Sequence, residues 1–418
     1  MRALAIVDGE HYPTVVRDAL AQLSYEFVAA VLVGGQEKVR GGEDYGVPLV
    51  ADVTAGIEAH RPDVVVDLSD EPVLGPVARF ALASRVLALG IPYIGADFRL
   101  DPPSFAAFPL PSIAVVGTGK RVGKTAVTGH VARLLARDRR VVVVAMGRGG
   151  PREPEVVIVP PTVESLVGLS RAGRHAASDH LETAAVVGVP TIGCRRCGGG
   201  LAGGVSISNV AEGAAAAIDL EPDLVVFDGS GAAFPPIDTD RTVAVVGGHQ
   251  DPAVVGGYLN AYRLLRADLV VVTMADPGTG WSEVRDAVRS VVGLDVALVA
   301  TQLRPRPLAD VTGRTVAYFC AAPPNAAERL RAELVAASGA SVVHVSTNLA
   351  SRTALHDELS RIDADAFVVE LKAAAVDVVA EAALARGIDV VLAANDIVPL
   401  PGEPDLDECL LEMAKFGR

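Results

Sequence analysis

The segment Gly117-Thr118-Gly119-Lys120-Arg121-Val122-Gly123-Lys124-Thr125 follows an apolar run, Ile113 to Val116, and precedes a helix-like stretch, Ala126 to Arg137. A strand, a glycine-rich turn and a helix start in that order commit this part of the chain to an α/β arrangement. Only there do successive turn amides and the helix N-terminus form a concave anion site. Lys124 then reaches the outer phosphates, and the Thr125 hydroxyl can ligate Mg²⁺. The segment reads as a phosphate-binding P-loop, with Gly117, Gly119, Lys120, Arg121, Val122, Gly123, Lys124, Thr125 and Ala126 as nucleotide-binding positions. The strict pattern would place glycine at 118, where Thr118 stands. Lysine usage sharpens the reading: the chain has only Lys38, Lys120, Lys124, Lys372 and Lys415, and two of these five fall in one loop.

The rest of the chain alternates strand-like and helix-like segments. Near-continuous apolar runs of four to seven residues suit strands covered on both faces by helices. A first block has strands near 2–7, 27–33, 63–67 and 91–94, with helices over Pro13 to Leu23 and Pro76 to Leu89. It ends in Asp101-Pro102-Pro103 and Phe108-Pro109-Leu110-Pro111, where proline density forbids a helix or central strand. A second block adds strands at Val141–Ala145, Leu224–Phe227, Val243–Val246, Leu269–Thr273 and Val296–Ala300, and a third at 316–320, 342–345, 366–370 and 389–393. The expected class is α/β, a P-loop NTPase-type, mostly parallel sheet with helices on both faces, preceded by a smaller Rossmann-like N-terminal α/β domain. The expected divisions are 1–108, 109–305 and 306–418, the last either extending the P-loop sheet or folding apart.

With 418 residues, 50% hydrophobic and 21% charged, the chain is globular and long enough for several cores. No apolar run approaches the roughly 18 residues of a membrane helix, and no secretory-type leader is evident, so a cytoplasmic protein without membrane partners is expected. Four cysteines do not make a disulfide scaffold. The net charge of −14 argues against nucleic acid as a partner. Yet residues 110–210 carry thirteen Lys/Arg against six Asp/Glu. Positive charge gathered around a P-loop in an acidic chain suits a ligand more anionic than ATP alone, although a solvated basic face would give the same count.

A metal-binding carboxylate is expected at a strand end. Asp228, after Leu224-Val225-Val226-Phe227 and before Gly229-Ser230-Gly231, fits that role. Asp67 after Val64-Val65-Val66 is an equal pattern, but it lies in the first block. Arg148, in the turn Gly147-Arg148-Gly149-Gly150 after a strand, is placed to grip a phosphate. In Gly193-Cys194-Arg195-Arg196-Cys197-Gly198 the single Cys-x-x-Cys supplies two ligands where structural zinc needs four, even with His175 and His180 upstream. An anion-binding loop using Arg195 and Arg196 is the preferred reading.

Gly117 to Thr125 and Asp228-Gly229-Ser230-Gly231 resemble the P-loop and metal-binding turn of dethiobiotin synthetase, where the acid is expected to be glutamate. More closely, five segments in order resemble the cyclic 2,3-diphosphoglycerate synthetase family over nearly the whole chain. They are Asp8-Gly9-Glu10-His11-Tyr12-Pro13, the P-loop, Met146-Gly147-Arg148-Gly149-Gly150-Pro151, the Cys-Arg-Arg-Cys-Gly-Gly-Gly run and Gly248-His249-Gln250-Asp251-Pro252. The resemblance implies ATP-dependent closure of 2,3-diphosphoglycerate into its cyclic pyrophosphate, releasing ADP and phosphate, with Mg²⁺ and often K⁺. On this reading Lys124, Lys120 and Arg148 are catalytic, and Arg148, Arg195, Arg196, Asp8 and His11 bind substrate. Thr125 and Asp228 hold the metal, and a homodimer is the expected assembly. Two rivals share parts of the pattern: another dethiobiotin-synthetase-like ligase, and a metallochaperone-like regulatory NTPase using Cys194 and Cys197.

Overall fold

The computed structural model describes residues 1–35, 44–71 and 73–416, so Lys38 lies outside the described residues. The first sheet contains β1 (Arg2–Val7), β2 (Glu26–Leu32), β3 (Leu49–Val50), β4 (Val64–Asp67), β5 (Tyr93–Ile94) and β6 (Arg99–Leu100). Their spatial order is β3-β2-β1-β4-β5-β6. The first five run parallel and β6 returns antiparallel to β5, giving a Rossmann-like order. The strand order reverses between β1 and β4, so the loops after these two strands meet at the carboxyl edge. A helix over Val53–His60, capped by Asp52 through the Ala55 amide, was not expected from its weak periodicity.

The proline-rich stretch contains β7 (Ala106–Ala107), which pairs with β14 (Ile237–Asp238). The main sheet opens with β8 (Ser112–Gly117), β9 (Val141–Gly147), β10 (Glu155–Val157), β11 (Thr191–Cys197), β12 (Ile207–Ser208) and β13 (Leu224–Asp228). It continues with β15 (Arg241–Gly247), β16 (Leu269–Thr273), β17 (Ala297–Pro307), β18 (Thr315–Phe319), β19 (Ser341–Ser346), β20 (Ala366–Glu370) and β21 (Asp389–Pro399). The order is β10-β11-β9-β13-β8-β15-β16-β17-β21-β20-β18-β19, with β12 beside β11.

The C-terminal stretch extends the P-loop sheet. Thr301 to Pro307 of β17 pair antiparallel with Pro399 to Ala393 of β21, and β20, β18 and β19 run parallel to β21. Strand direction therefore reverses across this pair. The carboxyl ends of β8, β9, β13 and β16 point one way and those of β18 and β20 point back at them. The six steps from Thr301 to Pro307 separate the two edges by roughly 20 Å at a strand rise of about 3.3 Å per residue. Both long strands outrun the sequence expectation because Arg304, Pro305, Arg306 and Pro307 break the apolar signal while the backbone stays extended.

The helix Lys124–Leu135 covers one face of the sheet, burying Val127, Val131 and Leu135 against Val115, Val143, Val226 and Val245. The first sheet docks on the other face. Its helix Pro76–Ala88 meets the helix Asn260–Leu265, and Leu87 and Tyr93 join Leu259 and Tyr262 in one continuous core.

Candidate functional site

The P-loop is braced by the strand ends beside it. Gly123 adopts φ +76°, the left-handed conformation glycine accepts at little cost, and a Cβ there would press on Thr273. The Thr273 hydroxyl donates to the Val122 carbonyl at 2.7 Å. Arg121 is also left-handed, at φ +58°. Thr118 is not, which explains why a glycine is dispensable there. Its hydroxyl donates to Gln250 Oε1 at 2.6 Å, and the Gly247 amide donates to the same oxygen at 2.9 Å. Gln250 thus ties the loop to the end of β15. Its sequence signal is its place in the Gly248-to-Pro252 segment.

Asp228, at the carboxyl end of β13, is buried beside the start of the P-loop helix. Its Oδ1 accepts from Lys124 Nζ at 2.5 Å and from the Thr128 hydroxyl at 2.7 Å. Burial pushes the carboxyl up, opposed by Lys124 and Thr128. Both donors converge on Oδ1, leaving Oδ2 without a hydrogen-bond partner among the described residues. An uncommitted carboxylate oxygen next to the helix turn that carries Thr125 suits a hard divalent cation. Asp67, the other strand-end acid, is saturated. It accepts from Tyr93 at 2.5 Å, Arg79 Nε at 2.9 Å, and the Ser69 amide and hydroxyl at 2.9 and 2.6 Å. Its role is to hold the first sheet together.

Arg148 follows β9 and Arg195 and Arg196 end β11, so parallel pairing puts them on the edge that carries the P-loop. Gly150 allows close approach, since a Cβ there would lie 2.0 Å from the Cys194 carbonyl oxygen. Arg196 donates to the Ser230 carbonyl at 2.9 Å and to Gly198 at 3.0 Å. A side chain at Gly231 would touch both Arg196 and Lys120. Burial and the Arg148 guanidinium draw Arg196 below its ordinary value. Alternation along β11 directs Arg195 to the opposite face from Arg196. Among the described residues Lys120, Arg121, Arg148, Arg195 and Arg196 make no ion pair with a carboxylate. Five cations on one sheet edge without an ion-paired carboxylate among the described residues suit an anionic ligand.

The same alternation separates Cys194 from Cys197. Cys194 is buried against Gly213, its thiol pushed up to about 12 by burial, whereas Cys197 is exposed. The two sulfurs do not converge on a metal. His180 is turned instead toward Gly193 and Ser178, with its ring 3.2 Å from the Ser178 hydroxyl.

Asp8 and His11 lie at the carboxyl edge of the first sheet. Asp8 Oδ1 bonds His11 Nδ1 at 2.8 Å and accepts from the Glu10 amide at 3.0 Å, and Oδ2 accepts from the Asp70 amide at 2.8 Å. Burial raises the Asp8 carboxyl, but these donors outweigh it and hold the group below its usual range. Asp8, His11 and Asp70 could together present ligands to a cation. Their hydrogen bonds stay within the first sheet's own loops.

Three family descriptions divide the chain. The cyclic 2,3-diphosphoglycerate synthetase N-terminal domain matches residues 2–101, the P-loop domain 112–297 and the C-terminal domain 307–396. The chain belongs to the cyclic 2,3-diphosphoglycerate synthetase family. A cyclic 2,3-diphosphoglycerate synthetase of Rubrobacter xylanophilus is 48% identical over 434 residues, covering 99% of this chain and 97% of that protein. The Thermococcus gammatolerans protein of the same description is 43% identical, with 99% and 97% covered. Among solved structures, LpxK from Aquifex aeolicus, in complex with ATP, is 14% identical with a TM-score of 0.42, covering 74% of this chain and 90% of its own. That likeness is too distant to bear on function. No helix among the described residues is long and apolar enough to cross a membrane.

Proposed function

We propose that this chain is an ATP-dependent synthetase that closes 2,3-diphosphoglycerate into cyclic 2,3-diphosphoglycerate, releasing ADP and phosphate. The observation that carries the reading is the row of cations on the P-loop edge that have no ion-paired carboxylate among the described residues. A bisphosphorylated carboxylate and ATP together bring on the order of eight or nine negative charges, each phosphate near −2. Lys120, Arg121, Arg148, Arg195 and Arg196, with no carboxylate to hold, are free to cancel them.

One substrate phosphate oxygen attacks the γ-phosphorus of ATP; a P–O bond forms, the β–γ bridge breaks and ADP leaves. The second phosphate then attacks the phosphorus of the first, forming the ring anhydride and expelling the transferred group as inorganic phosphate. Lys124 and the loop amides hold the transferring group, and Arg148 and Arg196 hold the acceptor. Proximity supplies much of the second step. The side chains act by placement and charge rather than as nucleophiles. Thr125 and Asp228 Oδ2 would hold Mg²⁺, which when bound neutralises charge on the transferring phosphates; K⁺ is a further expected cofactor. The working division remains 1–108, 109–305 and 306–418, with the first unit lending Asp8 and His11 to substrate binding, and the working assembly is a cytoplasmic homodimer.

Phosphorus NMR of the protein with ATP, Mg²⁺ and 2,3-diphosphoglycerate tests the reading. Anhydride resonances of a cyclic pyrophosphate should grow in step with ADP and inorganic phosphate. ADP and phosphate released without such signals would mean a plain ATPase or a ligase of another acid.

A further inference from the structure

Lys372 follows the carboxyl end of β20, on the half of the sheet that points back at the P-loop. It was not singled out from sequence, although it is one of only five lysines. The turn that carries it is tight: the Lys372 amide donates to the Glu370 carbonyl at 2.8 Å, and Ala373 takes the left-handed conformation at φ +47°. A non-glycine residue held there marks a backbone over-determined by its surroundings. A helix of π type, Ala375–Ala380, begins immediately after it. The turn sends Lys372 into a narrow cleft that Thr125 and Ala126 of the P-loop helix also line. Glu182, Glu370 and Asn395 supply the rest of its polar lining.

Glu370 acts on this lysine by its charge, but its oxygens are hydrogen-bonded elsewhere. Its Oε1 accepts from Asn395 at 2.8 Å and Tyr318 at 3.4 Å, and its Oε2 from the Ala321 amide at 3.1 Å. Among the described residues only Glu182 forms an ion pair with the ammonium, at 3.5 Å, while Glu370 and Asp179 add negative charge around it. The Lys372 side chain is 38% exposed. An ammonium has three donors, and one carboxylate at the limit of hydrogen-bond range does not use them up. A cation with spare donors thus lines one cleft with Thr125, the P-loop position at the metal and terminal-phosphate end of the motif.

We propose that Lys372 is a phosphate-binding residue of the reaction centre, delivered by the C-terminal half of the sheet to the substrate bisphosphate at the P-loop edge. The proposal rests on the function given above. It makes the reversal of strand direction at β17 and β21 functional: two carboxyl edges face one another, and each contributes cations to the same anions. Lys372 shares its cleft with Thr125, so it addresses the acceptor and the transferring phosphoryl group, not the inner phosphates of the nucleotide.

The test is calorimetric titration of 2,3-diphosphoglycerate and, separately, ADP into the parent, Lys372→Ala, and the double variant Lys372→Ala with Glu182→Gln. The double variant removes the buried carboxylate that the single change leaves without its cation. Both variants should lose at least tenfold in bisphosphate affinity, with ADP affinity within twofold of the parent. If the double variant regains the parent's bisphosphate affinity, Lys372 serves only as counter-ion to Glu182 and the proposal fails. It fails too if the single variant binds bisphosphate as the parent does. The function fails separately if the parent, although it binds both ligands, forms no cyclic product.

Discussion

Lys124 and Asp228 are joined by a 2.5 Å hydrogen bond with side-chain exposures of only 12% and 1%. The P-loop lysine therefore has a buried counter-charge within the protein, and any phosphate it grips competes with that carboxylate. The P-loop cation and the strand-end acid are one unit, so each change at one has a consequence at the other.

Replacing Lys124 by Ala should abolish turnover and also destabilise the fold, because removing one member of a buried pair typically costs about 3–5 kcal/mol. The double change Lys124→Ala with Asp228→Asn should recover most of the stability and none of the activity. Thermal melts alongside phosphate release decide it; turnover within a few-fold of the parent in Lys124→Ala would remove the P-loop from the mechanism.

Asp228→Asn keeps the shape of the side chain and its bond to Thr128 but removes the charge offered by Oδ2. Turnover should fall at least about 100-fold, in the range of lost transition-state charge stabilisation, and half-maximal activity should need more Mg²⁺. Titrating Mg²⁺ against phosphate release would read this, and an unchanged metal requirement would move the ion to other ligands.

Arg148→Ala should weaken 2,3-diphosphoglycerate by about tenfold, roughly 1.4 kcal/mol, with a smaller effect on ATP, because Arg148 stands beside Arg196 two strands away from the P-loop strand. Separate KM measurements for the two substrates check it. Equal losses would place Arg148 on the nucleotide.

Glu182 should make stability depend on pH. Burial lifts its carboxyl to about 7 from the ordinary 4.5, against the opposing pull of Lys372. A raised folded-state value means the folded protein favours the protonated acid. That contribution is full below about 4.5 and is lost as pH rises through about 7. Glu182→Gln removes the titration, so the variant should gain on the parent steadily from pH 5 to pH 7 and level off above. Chemical denaturation at each pH gives the comparison, and parallel profiles would show that Glu182 does not carry this linkage.

Much of the first sheet and of the P-loop half was legible because their strands are continuous apolar runs. Val64 to Asp67 and Leu224 to Asp228 are buried on both faces, and nothing local competes with that pattern. The helix Val53–His60 and the outer reaches of β17 and β21 were not legible. Short helices have little periodicity, and strands that leave the two-sided core carry arginine, proline and aspartate. The pairing of Lys124 with Asp228 could be guessed as two halves of one motif, but the bond of Thr118 to Gln250 could not. It joins residues 132 positions apart, and nothing in either residue's surroundings points to the other.

The sequence by itself determined that a strand, a glycine turn and a helix would make an anion site, because that requirement is local: a few dihedrals and amides within nine consecutive residues. It also identified which strand-end carboxylates and arginines were available. Only the tertiary structure saturated Asp67 with donors while leaving one Asp228 oxygen unengaged, separated Cys194 from Cys197 by strand alternation, and turned the C-terminal half back so that Lys372 and Thr125 line one cleft. Those outcomes depend on register and strand direction, which are set by which surfaces bury one another across hundreds of residues. A single antiparallel pairing, β17 with β21, determines where every cation beyond it will point.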